Sequence, residues 1–291
     1  MKRYRWPIAF AAVVVLVLLC LAVARRTEPP PKPNGYDDFV AAGNMILGDF
    51  FGGFLFVDQN YQAAMATFAA RNEPMLARVR LGLSKEARVP VGSGSDVSHA
   101  LFRRAMAIHQ VDTAMSMIAQ QREFEGRLAE AVGIELDCIR LAIARSRGGM
   151  EMHYFDAETA EVAALLVLRR FAPRLDAPLC RQTLKALAAT EGGREPMAVV
   201  RRREILCALR TSGWWNNLMG IKDMAAQLVG INDPIASLQG LAKEIIRDRR
   251  ELSLALARRA FTLERGRPPA TDAELVPAYL PALPPAAPPA K

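Results

Sequence analysis

Reactive side chains are scarce in this chain of 291 residues. Its three histidines are His99, His109 and His153, and no two stand four residues apart around a glutamate, which excludes the ligand spacing of a helical zinc hydrolase. The four cysteines form no CxxC pair and are too few to staple a fold together. A glycine-rich phosphate loop ending in Lys-Ser or Lys-Thr, a GxGxxG turn and a GxSxG elbow are all missing, so the common nucleotide and hydrolase signatures do not occur. Between residues 36 and 267 only six of the 19 prolines appear, leaving long stretches with nothing to interrupt a helix.

What is present is apolar and unevenly charged. Hydrophobic residues make up 51% of the chain, enough for a folded core. The formal net charge of +8 invites a nucleic-acid reading until it is located. Residues 1–35 hold Lys2, Arg3, Arg5, Arg25, Arg26 and Lys32 against Glu28 alone, so five of the eight surplus charges lie there. The three that remain, spread over the body, do not build a positive face able to displace counterions from a phosphate backbone. No nucleic-acid partner is expected.

The basic leader is followed by an uncharged run from Ile8 to Ala24, closed by Arg25 and Arg26. As a helix this run is roughly 25 Å long, just short of a ~30 Å hydrocarbon core, with Trp6 and Pro7 available at the interface. The preferred reading of residues 1–26 is a signal anchor. A cleaved signal peptide would use Ala22-Val23-Ala24, and a lipoprotein would need a small residue where Leu19 precedes Cys20. Positive charge before the run places the N-terminus in the cytoplasm of a bacterial cell and the body beyond its cytoplasmic membrane. With cleavage the body is exported. Residues 27–35, with Pro29, Pro30, Pro31 and Pro33, read as a stiff linker.

The body reads as an all-α array of antiparallel helical hairpins behind the N-terminal transmembrane or signal helix. An N-terminal helical segment is assigned to 36–95, the main helical array to 96–267, and a proline-rich strap and tail to 268–291. Apolar residues at threes and fours from Thr113 to Ala144 predict one helical stripe, and a second long stripe runs from Pro234 to about Glu264 behind Asp233. Between them, helices are expected over 157–170, from Asp176 to Thr190, over 197–210 and over 214–229. Gly92-Ser-Gly-Ser-Asp96 is a connector with Asp96 placed to cap a helix at Val97, and the phenylalanine-rich residues 49–57 fit a short hairpin or a buried hydrophobic loop, of which the loop is preferred.

Candidate chemistry is weighed against ordinary packing. Cys138, Cys180 and Cys207 fall in predicted helices as small hydrophobes, although one pair could close in an oxidising compartment. His99 and His109 lie about three turns apart, and all three histidines are expected as surface or satisfied groups. Glu130, Glu135 and Asp137, among Arg127, Arg140 and Arg145, read as solvated ion-pair decoration, as do Arg201–Glu204 and Arg247–Arg250. Trp214, Trp215, Asn216 and Asn217 form the binding candidate, two large faces and two amides behind Gly213. No catalytic residue, metal ligand or cofactor is assigned.

Residues Ala255 to Pro284 contain Arg265-Gly-Arg-Pro268, Glu274-Leu-Val-Pro277 and Tyr279-Leu-Pro281. This stretch is similar to the GRYP-x-ELVPxYLP ending of an uncharacterised group of membrane-anchored helical proteins of planctomycete-type bacteria. Weaker similarity touches Tyr36–Phe39, Phe171–Asp176 and Arg194–Pro196. Pro268 stands where that ending has tyrosine. The resemblance implies a membrane anchor and a helical body, and brings no activity or catalytic residues. The expected function is a membrane-tethered, extracytoplasmic interaction or scaffolding protein of the cell envelope with an envelope protein as partner. The alternative is an envelope hydrolase whose site is assembled from several helices.

Overall fold

Asn34 sets the first helix. Its Oδ1 accepts from Tyr36 N at 3.1 Å and from Arg88 N at 3.0 Å, while its Nδ2 donates to Arg88 O at 2.8 Å, so one amide both caps a helix and fastens it to an extended segment 54 residues away. In this computed structural model the described residues are 29–48, 59–91, 95–211 and 236–284. Those from Pro31 onward belong to one compact unit. The leader 1–28, the phenylalanine-rich stretch 49–57, Trp214–Asn217, the Asp233-Pro234 start signal and the tail from residue 285 lie outside the described residues.

The described chain is helical, with nine α-helices and no strand among the described residues. They are α1 Gly35–Asn44, α2 Gln59–Arg71, α3 Glu73–Leu83, α4 Ser95–Phe124, α5 Leu128–Ser146, α6 Glu151–Phe171, α7 Ala177–Ala188, α8 Met197–Thr211 and α9 Ala236–Arg265. Short 3-10 turns follow at Ala172–Arg174 and Asp272–Leu275. Among these helices, none is long and apolar enough to cross a membrane.

Three boundaries differ from the sequence expectation, each for a local reason. The stripe from Thr113 to Ala144 is two helices, because Gly126 takes a left-handed conformation at φ +75° and ends α4 before Leu128 restarts the pattern. The apolar rhythm survives the turn, which is why it reads as continuous. Helix α6 begins at Glu151 rather than near Asp156, and α4 is already under way at Ser95, so Asp96 is not its cap. Asp176 does cap α7, its Oδ1 accepting from Leu179 N at 2.8 Å, and Gly266 at φ +69° ends α9 as expected.

Helix α5 is the centre of the packing. Ala131, Val132, Ile134, Leu136, Ile139 and Leu141 are all buried, spread around its circumference, and it packs against α3, α4, α6 and α7. Tyr36 and Phe39 of α1 and Phe171 at the end of α6 are fully buried in the same cluster, the two phenylalanines each contributing about 1.5–3 kcal/mol by leaving water. Leu252, Leu256 and Ala260 of α9 complete it against α6 and α7. The C-terminal strap lies on α9 and α7. Leu275 and Leu280 are buried, Arg258 holds Asp272 through two 2.8 Å contacts, and Glu264 accepts from Arg181 at 2.6 Å and from Tyr279 Oη at 2.8 Å. Cys138 and Cys180 are buried free thiols, and Cys207 is half-buried.

The approach of α1 to α4 depends on one missing side chain. A Cβ on Gly43 would stand 2.3 Å from the Ala107 carbonyl oxygen, so the backbones must separate for any larger residue. Gly43→Ala is expected to lower stability by about 1–3 kcal/mol, the usual cost of overpacking, measured by urea denaturation. An unchanged midpoint would contradict this packing.

Candidate functional site

Helix α6 places Tyr154, Glu158 and Glu161 on the same buried face as Leu165 and Leu168. Two carboxylates therefore enter the interior with the apolar side chains, and cations follow them. Glu161 Oε1 accepts from Arg249 Nε of α9 at 2.6 Å, and its Oε2 pairs with Arg194 from the turn before α8. Arg249 Nη1 donates to Thr190 Oγ1 at 2.9 Å. Arg194 Nη1 lies 3.5 Å from Glu158 Oε1, while Glu158 Oε2 is buried without a hydrogen-bond partner. Burial pushes the Glu158 carboxyl up to about 7 against the pull of Arg194, and lowers Arg249 to about 10.

Above this layer lies a cavity of about 460 Å³, within the range of small-molecule sites. Its polar lining comes from Tyr154, Thr190, Glu191, Arg194, Arg249, Arg250 and Ser253, and its apolar lining from Ala242, Ile245, Ile246 and Pro284. Arg249 Nη2 is buried without a hydrogen-bond partner. Arg250 makes no hydrogen bond or close ion pair among the described residues, and its charge reaches Asp272 only through space.

A second cluster joins α4, α5 and α6. Arg145, 3% exposed, places Nη1 2.7 Å from Asp112 Oδ2 and 3.0 Å from Asp156 Oδ2, and its Nη2 donates to Asp156 O at 2.9 Å. His109 Nδ1 lies 2.9 Å from Asp156 Oδ1 on the exposed side. His109, Asp112 and Asp156 bring one ligand atom each within 4.8 Å of one another, close enough in spacing for a metal ion. The guanidinium of Arg145 already supplies the cation between the two carboxylates, so a metal would have to displace a buried charge. Burial pushes Asp112 up to about 6 despite Arg145. His153 is buried beside this cluster, its Nδ1 accepting from Met150 N at 3.4 Å, and burial together with Arg145 lowers it to about 4. It is a neutral ring across the physiological range.

The sequence-predicted residues divide accordingly. His109 and His153 are brought near two carboxylates, while His99 is exposed elsewhere on α4. Glu130 is surface decoration, paired with Arg127 at 2.5 Å. Glu135 and Asp137 are not: both are buried, because neighbouring helices cover α5 over most of its circumference and leave solvated charge only at positions such as Glu130 and Arg140. Asp137 is held by Arg80 at 3.0 Å and Arg140 at 3.2 Å. Arg249 likewise turns inward rather than decorating its helix, and Arg203 pairs with Glu195 at 2.9 Å. The Arg194–Arg249 cavity was missed. Its legible signal was Glu158 and Glu161 at four and seven residues from Tyr154, charges on an apolar stripe. Comparison with protein-family models, with curated proteins and with solved structures finds no match.

Glu135 provides a test of this buried electrostatics. Its Oε2 has no hydrogen-bond partner, and burial pushes its carboxyl from 4.5 up to about 8, with Arg170 opposing and Asp112 assisting. The native state therefore holds a proton that the unfolded chain releases. Below pH 4.5 both states are protonated and the residue is neutral to stability. From pH 4.5 to 8 stability falls, and above 8 the loss is complete. Glu135→Gln removes that loss and is expected to gain a few kcal/mol at pH 8 and almost nothing at pH 4, read from urea melts at both values. An equal gain at both would contradict the protonated state.

Proposed function

We propose that the protein is a membrane-tethered, extracytoplasmic helical module with a non-catalytic interaction role in the cell envelope, meeting its partner at the cavity between α6 and α9. The observation that carries the binding role is a cavity lined by Arg194 and Arg249, both already paired with Glu161 beneath it, and by Arg250, which makes no close ion pair among the described residues. Charges of this kind, fixed in position by their own neighbours, recognise a complementary group without reorganising.

The tether is supported by the uncharged run from Ile8 to Ala24 between its basic flanks, and by the resemblance of the C-terminal strap to anchored helical proteins. The antiparallel hairpin arrangement is supported by the short turns 125–127 and 147–150 between helices that pack extensively on each other. The hydrolase reading has less to rest on. His153 is neutral and buried, and the two carboxylates beside His109 are occupied by Arg145.

Fractionation of bacteria expressing the full chain, with protease added from outside the cytoplasmic membrane, tests the placement. The chain is expected in the membrane fraction with its body digested. A photo-crosslinking residue at Ile246, on the cavity, is expected to yield a discrete adduct that the same group at Leu263 does not. A soluble interior chain, or a body fully protected from protease, would overturn the placement, and identical crosslinking at both positions would overturn the cavity as the contact.

A further inference from the structure

The cavity combines two features that together specify a ligand chemistry. One is a cluster of guanidinium groups: Arg194 and Arg249 share the Glu161 carboxylate beneath the cavity, and Arg250 stands beside them with no close ion pair among the described residues. The other is a short apolar wall of Ala242, Ile245 and Ile246, one helical turn long, which is too small for a fatty tail and sized for a few carbons. Ile246 is half exposed there, an apolar side chain left in water at the mouth of a charged recess.

Charge counting narrows the headgroup. Three guanidinium groups line the cavity, two of them sharing the Glu161 carboxylate beneath it, and the exposed rim residue Glu191 is the one carboxylate in the lining. The surplus is one positive charge, which matches a monoanion better than a phosphate dianion. Arginine forks accept a carboxylate through two parallel N–H donors, and Arg249 Nη2 has a donor without a partner. From this we infer that the cavity binds a carboxylate that terminates a short apolar chain, the carboxylate on Arg250 and Arg249 and the chain along Ile245 and Ile246.

Two sources carry that chemistry, a free short-chain carboxylic acid and the C-terminus of a polypeptide ending in apolar residues. The inference rests on reading this cavity as the recognition element, but its test is made on the purified full chain and is blind to membrane placement, so the two fail separately. Isothermal titration of the purified full chain compares hexanoate with hexanamide, and N-acetyl-Leu-Leu carrying a free carboxylate with the same dipeptide as its amide. At least one acid is expected to bind saturably and at least tenfold tighter than its amide. The stronger of the two acids identifies the source. Arg250→Gln, at a half-buried side chain with no close ion pair to break among the described residues, is expected to abolish the preference for the acid while leaving the melting temperature unchanged. Ile246→Ser is expected to weaken the acid severalfold without changing the acid-to-amide ratio. Amides that bind as well as the acids, no saturable binding by either acid, or a preference that survives Arg250→Gln would overturn the inference.

Discussion

A carboxylate taken into a helical core costs several kcal/mol unless a cation accompanies it, and this constraint decides how the helices of the chain meet. Asp38 of α1 is buried and draws in Arg78 at 2.7 Å and Lys85 at 2.6 Å, one on α3 and one just beyond it. Asp112 and Asp156 bring α4 and α6 onto Arg145 of α5. Glu161 brings α9 and the turn before α8 onto α6. Apolar packing alone leaves helices free to slide by a turn. A buried charge with one partner position does not.

The same constraint generates the cavity. Bulky guanidinium groups reaching a buried glutamate from two directions keep α9 and the 190–194 turn apart above it, and the space between them is lined by whatever those groups leave unused. A site of this kind is specific because its charges are already oriented, and because removing one partner strands the other. The His109 cluster follows the opposite course. Its cation sits between its carboxylates, so the arrangement closes a three-helix seam, with His109 on the solvent side.

The helical class was legible from the sequence, since threes-and-fours periodicity with almost no interior proline leaves few alternatives. Caps at Asp176 and stops at Gly266 were legible too, being local chemistry. The turn at Gly126 was not, because the apolar rhythm runs through it in register and one glycine inside a stripe is ordinarily tolerated. Burial of Glu135, Asp137, Arg145 and Arg249 was misread for a deeper reason. Charged residues on a helix default to solvent only if the helix has a solvent face, and whether α5 has one depends on neighbours distant in sequence. The pairing of Glu161 with Arg249, 88 residues apart, has no local trace beyond a carboxylate sitting on an apolar stripe.

The most direct test of the account is a double-mutant cycle on that pair, with Glu161→Gln, Arg249→Gln and both together measured by urea denaturation at pH 7. Glu161→Gln strands the Arg249 charge and Arg249→Gln leaves Glu161 with Arg194 alone, so the account predicts that the double variant loses less than the sum of the two, by more than about 1 kcal/mol. Losses that add to within about 0.5 kcal/mol would mean the two side chains do not act on each other, and that the cavity between α6 and α9 is organised by something else.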